Sequence, residues 1–178
     1  LYKELQRRYS QEQINGFMRN IALYYEMSGN EARAIEFYES CHDADKIRDL
    51  LVRNAKVNSD YGFFYEMRRY YLALSDSEIE SESCLIAAMS LLYSALLNVE
   101  RSEYWYGRLK ERLKTAGGLE KRKIIVEIAY LDLALPHRGS ANILETIQSE
   151  YVLMREKSAT FPELSVTNCI PSLINGGK

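Results

Sequence analysis

Apolar residues recur at three- and four-residue steps along most of this chain, the spacing of one helix face. From Gln11 to Met27, Ile14, Phe17, Met18, Ile21, Tyr24 and Tyr25 fall on one stripe. Ser28-Gly29-Asn30 ends that helix, with Gly29 able to take the left-handed cap conformation and Asn30 able to cap the next, which runs to about Ser40. Asp43 or Asp45 starts a third helix, carrying Ile47, Leu50, Leu51 and Val52, and Asn58-Ser59-Asp60 breaks it. A fourth spans about Tyr61 to Leu74. Ser75 and Ser77 are candidate N-caps, and the acids after them suit a helix start. A fifth, strongly apolar helix is predicted from there without interruption to about Asn98. A sixth carries "SEYWYGRLKERLK" to Ala116, and Gly117-Gly118 stops it. A seventh spans about Leu119 to Ala134, where Pro136 blocks continuation. An eighth spans about Ser140 to Lys157. The ending, "ATFPELSVTNCIPSLINGGK", has two prolines and no period, and reads as extended.

Helices of this length joined by short loops form antiparallel hairpins. The fold class expected is all-α: about eight helices in stacked hairpins. "LYKELQRRY" already carries Leu1, Leu5 and Tyr9 at four-residue spacing, so residues 1–10 read as a linker helix or the end of a preceding domain. Residues 11–157 then form the hairpin domain and 158–178 an extended segment, the whole being a piece of a longer protein.

The stretch "IALYYEMSGNEARAIEFY" shows how the first hairpin closes. Backbones approach only where side chains are small, and aromatics fill the space between turns. With Gly29 as the turn, Ile21, Ala22 and Tyr25 precede it and Ala34, Tyr38 and Cys41 follow it. These offsets resemble a tetratricopeptide unit, although Lys46 holds the place of the motif's helix-breaking proline. The resemblance implies a right-handed superhelix of hairpins. A second candidate turn, Asn98 to Ser102, puts Glu103 where the motif has alanine, and a third lies at Leu135 to Gly139. The array is therefore irregular.

Composition narrows the function. The 178 residues are 47% hydrophobic with three prolines and nine glycines, which favours long helices and a substantial core. A net charge of −2 supplies no basic field for nucleic acid, and the short basic clusters alternate with acids. Three widely spaced cysteines, Cys41, Cys84 and Cys169, make no disulfide framework or zinc pattern and point to a reducing, cytoplasmic setting. No signal peptide is visible, and apolar runs such as "CLIAAMSLLYSALL" are too short to span a bilayer.

No catalytic constellation is evident, so the chain is not expected to be an enzyme or to hold a cofactor or metal. Cys41-His42-Asp43 places a thiol, an imidazole and a carboxylate side by side, but neighbours on a helix diverge by about 100° and do not form a nucleophile–base pair. Cys41 fits a packing position, and His137, after Pro136, is expected on an exposed loop. Fourteen tyrosines are the unusual feature. Clusters such as Tyr24-Tyr25 and Tyr104-Trp105-Tyr106 cannot all face one core, and exposed tyrosine beside arginine suits partner binding. If Ile21 and Tyr25 are consumed by the core, Asn20 and Tyr24 are left to line a groove. On the fourth helix, outside that groove, Tyr61, Tyr65, Arg68 and Arg69 would form a rim that contacts a neighbouring surface.

The order of segments carries a further resemblance. "NIALYYEMSGN" is followed by an A-x-A-I-x-x-Y hairpin at Ala32 to Tyr38, then D-x-x-x-I-x-x-L-L at Asp43 to Leu51, then "FFYEMRRYYLAL". This is similar to the helical region after the winged-helix domain in MalT-like transcriptional regulators of the LuxR family (STAND-type ATPases). The resemblance implies a sensing module that answers a small-molecule inducer or partner protein and signals to nucleotide-binding and DNA-binding domains outside this sequence. No phosphate-binding loop is present here: Gly177-Lys178 has Ser172 where the loop's first glycine belongs. No segment reads as a DNA-reading helix. The alternative is a tetratricopeptide-like protein–protein interaction adaptor with no link to transcription.

Overall fold

The computed structural model describes residues 8–57 and 61–138, and the side chains at 57, 61–65 and 136 lie outside the described set. Among the described residues the chain is all-α. The helices are α1 (Gln11–Met27), α2 (Glu31–Ser40), α3 (Ala44–Val57), α4 (Tyr61–Ala73), α5 (Asp76–Ser81), α6 (Ser83–Ala95), α7 (Val99–Thr115) and α8 (Gly118–Ala134), followed by a 3-10 turn, Pro136–Arg138. The expected eighth helix at 140–157, the extended ending and most of the linker segment lie outside the described residues. No helix among the described residues is long and apolar enough to cross a membrane.

Helix boundaries follow local chemistry. Ser10 and Ser75 each form a capping box, Ser10 with Gln13 and Ser75 with Glu78. Asn30 accepts from Arg33 N at 3.1 Å and Asn98 from Arg101 N at 3.1 Å, while Asp43 accepts from Lys46 N at 3.3 Å. Gly29 takes the expected left-handed conformation, φ 78°.

The chain divides into two compact units, one ending at Asn54 and the other beginning at Ala55. The first holds α1, α2 and most of α3. Its α1–α2 hairpin closes on Ala22, Ala34, Ile35 and Tyr38, all buried, with Ala22 and Ala34 at zero exposure. Ile21 corrects the sequence reading: it is 38% exposed rather than part of the core. Close approach of the two backbones turns Ala22 inward, and one step along a helix rotates its neighbour about 100° away.

In the second unit α6 packs against α4, α5, α7, α8 and the 3-10 turn. It buries nine of its 13 residues, so it is the central helix and shows little amphipathic pattern. The long fifth helix expected from the sequence is instead two. Glu82 is extended (φ −132°, ψ 131°) and separates α5 from α6. The end of α5 finds a substitute partner: Arg112 of α7 donates to the main-chain oxygens of Glu80 and Ser81. Those carbonyls need not continue the helix to be satisfied.

The α6–α7 hairpin repeats the turn of α1–α2. Leu97 occupies the place of Gly29 with φ 60°, Asn98 caps as Asn30 does, and the Asn98 N–H returns to Tyr93 O as that of Asn30 does to Tyr25 O. Ser90 and Ser102 take the places of Ala22 and Ala34, and both are fully buried. The sequence reading, which began the turn at Asn98 and compared Glu103 with alanine, was out of register by one residue.

Candidate functional site

The feature most suited to binding is on α1. Phe17, Asn20, Ile21, Tyr24 and Met27 are all exposed and share one side of the helix, turned away from the buried Ala22, with the buried Ile14 at its edge. Tyr24 is 68% exposed. Tyr9 extends the surface, its ring edge-on to Phe17 at 5.2 Å. Asn20 and Tyr24, one turn apart, are both exposed on this side of α1.

The hairpin beneath this surface is rigidly braced. Tyr25 packs edge-on against Tyr24 at 5.6 Å and stacks on Phe37 at 5.5 Å. Tyr38 Oη donates to Glu26 Oε2 at 2.8 Å, and Arg53 of α3 donates to Glu26 at 2.8 Å and to Glu31 at 3.1 Å. Burial and the acceptor Glu26 push the Tyr38 hydroxyl up to about 12. Burial alone would raise Glu26, but hydrogen bonds from Arg53 and Tyr38 outweigh it and hold the carboxyl below its ordinary range. The network pins α3 to the hairpin without consuming the exposed stripe.

The other proposed binding residues belong to the second unit. Arg69 is exposed, donates to Tyr70 Oη and stands 4.4 Å from the Tyr70 ring centre, while Arg68 is half-buried. Tyr61 and Tyr65 lie in α4, but their side chains are outside the described residues.

A constellation missed in the sequence surrounds His137. Pro136 begins a 3-10 turn that folds the chain back, so the His137 side chain is only 13% exposed rather than on an exposed loop. Its Nδ1 lies 2.7 Å from Ser94 Oγ of α6 and its Nε2 lies 2.7 Å from Glu103 Oε1 of α7. Arg138 donates to Glu103 at 2.8 Å and to Asp132 of α8, and its guanidinium covers the Tyr106 ring at 3.9 Å. Tyr106 Oη donates to Asp132 at 2.6 Å. The hydrogen bond from Arg138, then that from His137, holds the Glu103 carboxyl down at about 2. Serine, histidine and glutamate in line resemble a hydrolytic triad in residue type. Ser94 is buried, however, and a substrate carbonyl cannot reach its hydroxyl while α6 stays packed. The group is a clasp that ties the 3-10 turn to three helices. Its members lie far apart in sequence, and no local motif announces them.

Cys41-His42-Asp43 is likewise structural. Cys41 is buried with its thiol 3.3 Å from Tyr38 O, His42 is exposed, and Asp43 caps α3 and pairs with Arg19 at 2.9 Å. An open cleft of about 490 Å³ involves Glu80, Arg108, Arg112 and Glu120, whose charges pair with one another (Arg108–Glu80 2.5 Å, Arg112–Glu120 2.7 Å). No group of three or more metal-ligating side chains occurs among the described residues.

Comparison with known protein families, characterised proteins and solved structures finds no match to this chain.

Proposed function

We propose that this chain is an interaction and signal-relay module, built of tetratricopeptide-like hairpins, within a larger transcriptional regulator. The observation that carries the reading is the uncharged, exposed stripe of α1, Phe17–Asn20–Ile21–Tyr24, held on a braced hairpin. Large exposed apolar side chains gathered on one helix face, with tyrosine and asparagine for directional contacts, mark a protein or ligand contact surface. The spacing supports the hairpin class: Gly29 to Leu97 is 68 residues, twice the roughly 34-residue tetratricopeptide period. The regulator context comes from the sequence resemblance to MalT-like proteins. In that context an inducer or partner engages the α1 stripe, and a change in hairpin packing passes to nucleotide-binding and DNA-binding domains.

The experiment combines the flanking reading frame with a reporter. An upstream phosphate-binding loop and a downstream helix-turn-helix, together with loss of induced transcription in Tyr24→Ala, support the proposal. Absence of both domains leaves the interaction adaptor, for which the same α1 stripe is the contact surface.

A further inference from the structure

The break between α5 and α6 is served by one carboxyl group from across the fold. The first turn of α6 has no side-chain cap on its N–H groups. Ser83, its first residue, donates from Oγ to Glu127 Oε1 of α8 at 3.0 Å. The other oxygen, Glu127 Oε2, is buried and accepts no hydrogen bond among the described residues. An ionised carboxylate there has half its acceptor capacity unsatisfied and little water to screen it, whereas the neutral acid avoids the buried charge.

The charged and titratable neighbours do not remove that cost. The hydrogen bond from Ser83 itself favours ionisation, as do Arg112 of α7 and Lys123 of α8, and Glu82 at the break opposes it; burial outweighs all of these. Arg112 is already engaged by Glu120 and by the end of α5, and Lys56 stands 3.6 Å from Glu82. The Cys84 thiol of α6, pushed up to about 11 by burial and then by Glu127, stays uncharged near neutrality. Burial dominates and brings the Glu127 carboxyl up to about 7.

We propose that Glu127 and Ser83 form a proton-controlled latch, closing α8 onto the α5–α6 break when the carboxyl is protonated and releasing it when the carboxyl ionises. Deprotonation hands the proton to solvent and leaves a charge that is relieved when the side chain swings toward water. The contact it abandons is at the start of the central helix, so release loosens α6 where the chain already lacks helical continuity. The latch stands on this contact alone and is independent of what binds α1.

The test uses the whole chain and the variant Glu127→Gln, which keeps the shape and removes the titration. Amide exchange is measured between pH 5.5 and 8.5 and divided by the intrinsic rate at each pH. In the wild type, protection over residues 84–88 is expected to fall by on the order of tenfold or more as pH rises, one pKa unit corresponding to tenfold. Glu127→Gln should hold its protection constant within about twofold. If the variant does not fold, the wild-type carboxyl is titrated by carbon-13 NMR, and a Glu127 midpoint above pH 6 that coincides with the loss of protection sustains the latch. Equal pH slopes in the two proteins, or a Glu127 midpoint below pH 5, overturn it.

Discussion

Ser90 Oγ donates to the main-chain oxygen of Ser102 at 3.0 Å, and Ser102 Oγ donates to that of Ser90 at 2.7 Å. The exchange brings α6 and α7 together where both side chains have zero exposure. It is the polar equivalent of Ala22 and Ala34 in the first hairpin. A serine satisfies itself on a helix carbonyl and still leaves room for the neighbouring backbone.

Enlarging that contact should be costly. Ser102→Leu and Ala34→Phe are each expected to destabilise by about 1–3 kcal/mol through overpacking. Ser102→Ala removes a hydrogen bond without adding bulk and should cost about 0.5–1.5 kcal/mol. Urea denaturation at constant slope measures both. An unchanged midpoint for Ala34→Phe would place Ala34 outside the hairpin contact.

Leu97 should be a site of easy stabilisation. It holds the left-handed conformation, φ 60°, and the residue is 86% exposed, so the strain brings no burial in return. Leu97→Gly is expected to gain about 0.5–1 kcal/mol, seen as a melting temperature higher by about 1–4 °C. The reverse change, Gly29→Leu, should lose a similar amount. A Cβ at Gly29 meets no atom within 4 Å, so that loss is conformational and not steric crowding by neighbours.

The clasp at Glu103 should shape the acid limb of stability. Its folded carboxyl titrates at about 2, below the ordinary 4.5. A lowered folded value contributes stability above pH 4.5 and loses it as pH falls toward 2. The side chain is partly exposed and screened, so on the order of 1 kcal/mol is expected, less than the shift alone implies. Glu103→Gln should flatten this part of the stability curve, followed by circular dichroism from pH 6 to 2. An acid limb as steep as that of the wild type would remove Glu103 from the explanation.

The α1 stripe should be dispensable for folding. Tyr24→Ala and Phe17→Ala remove exposed surface and are expected to change unfolding free energy by no more than about 0.5 kcal/mol. On the proposed reading, the same changes weaken the response to inducer or partner in a reporter assay. A melting temperature lowered by many degrees would show instead that the stripe is part of the folding core.

Most helices among the described residues were legible in the sequence because caps and periodicity are local. Asn30, Ser75 and Gly29 do in the structure what their chemistry suggests within a few residues of chain. The placing of Asn20 and Tyr24 on one exposed helix face was legible for the same reason. The break at Glu82 was not, because it depends on Arg112, distant in sequence, to satisfy the end of α5. Ile21 looked like core because apolar residues surround both sides of α1, and only the approach of α2 decides which side is covered. His137 looked like a loop residue because its partners, Ser94 and Glu103, come from two other helices. Periodicity and capping are determined by neighbours along the chain, so the sequence alone specified the all-α class and most helices among the described residues. Which face is buried, which carboxyl is held at about 2 and which at about 7 depend on desolvation and on partners from other helices, and only tertiary packing brings those into contact.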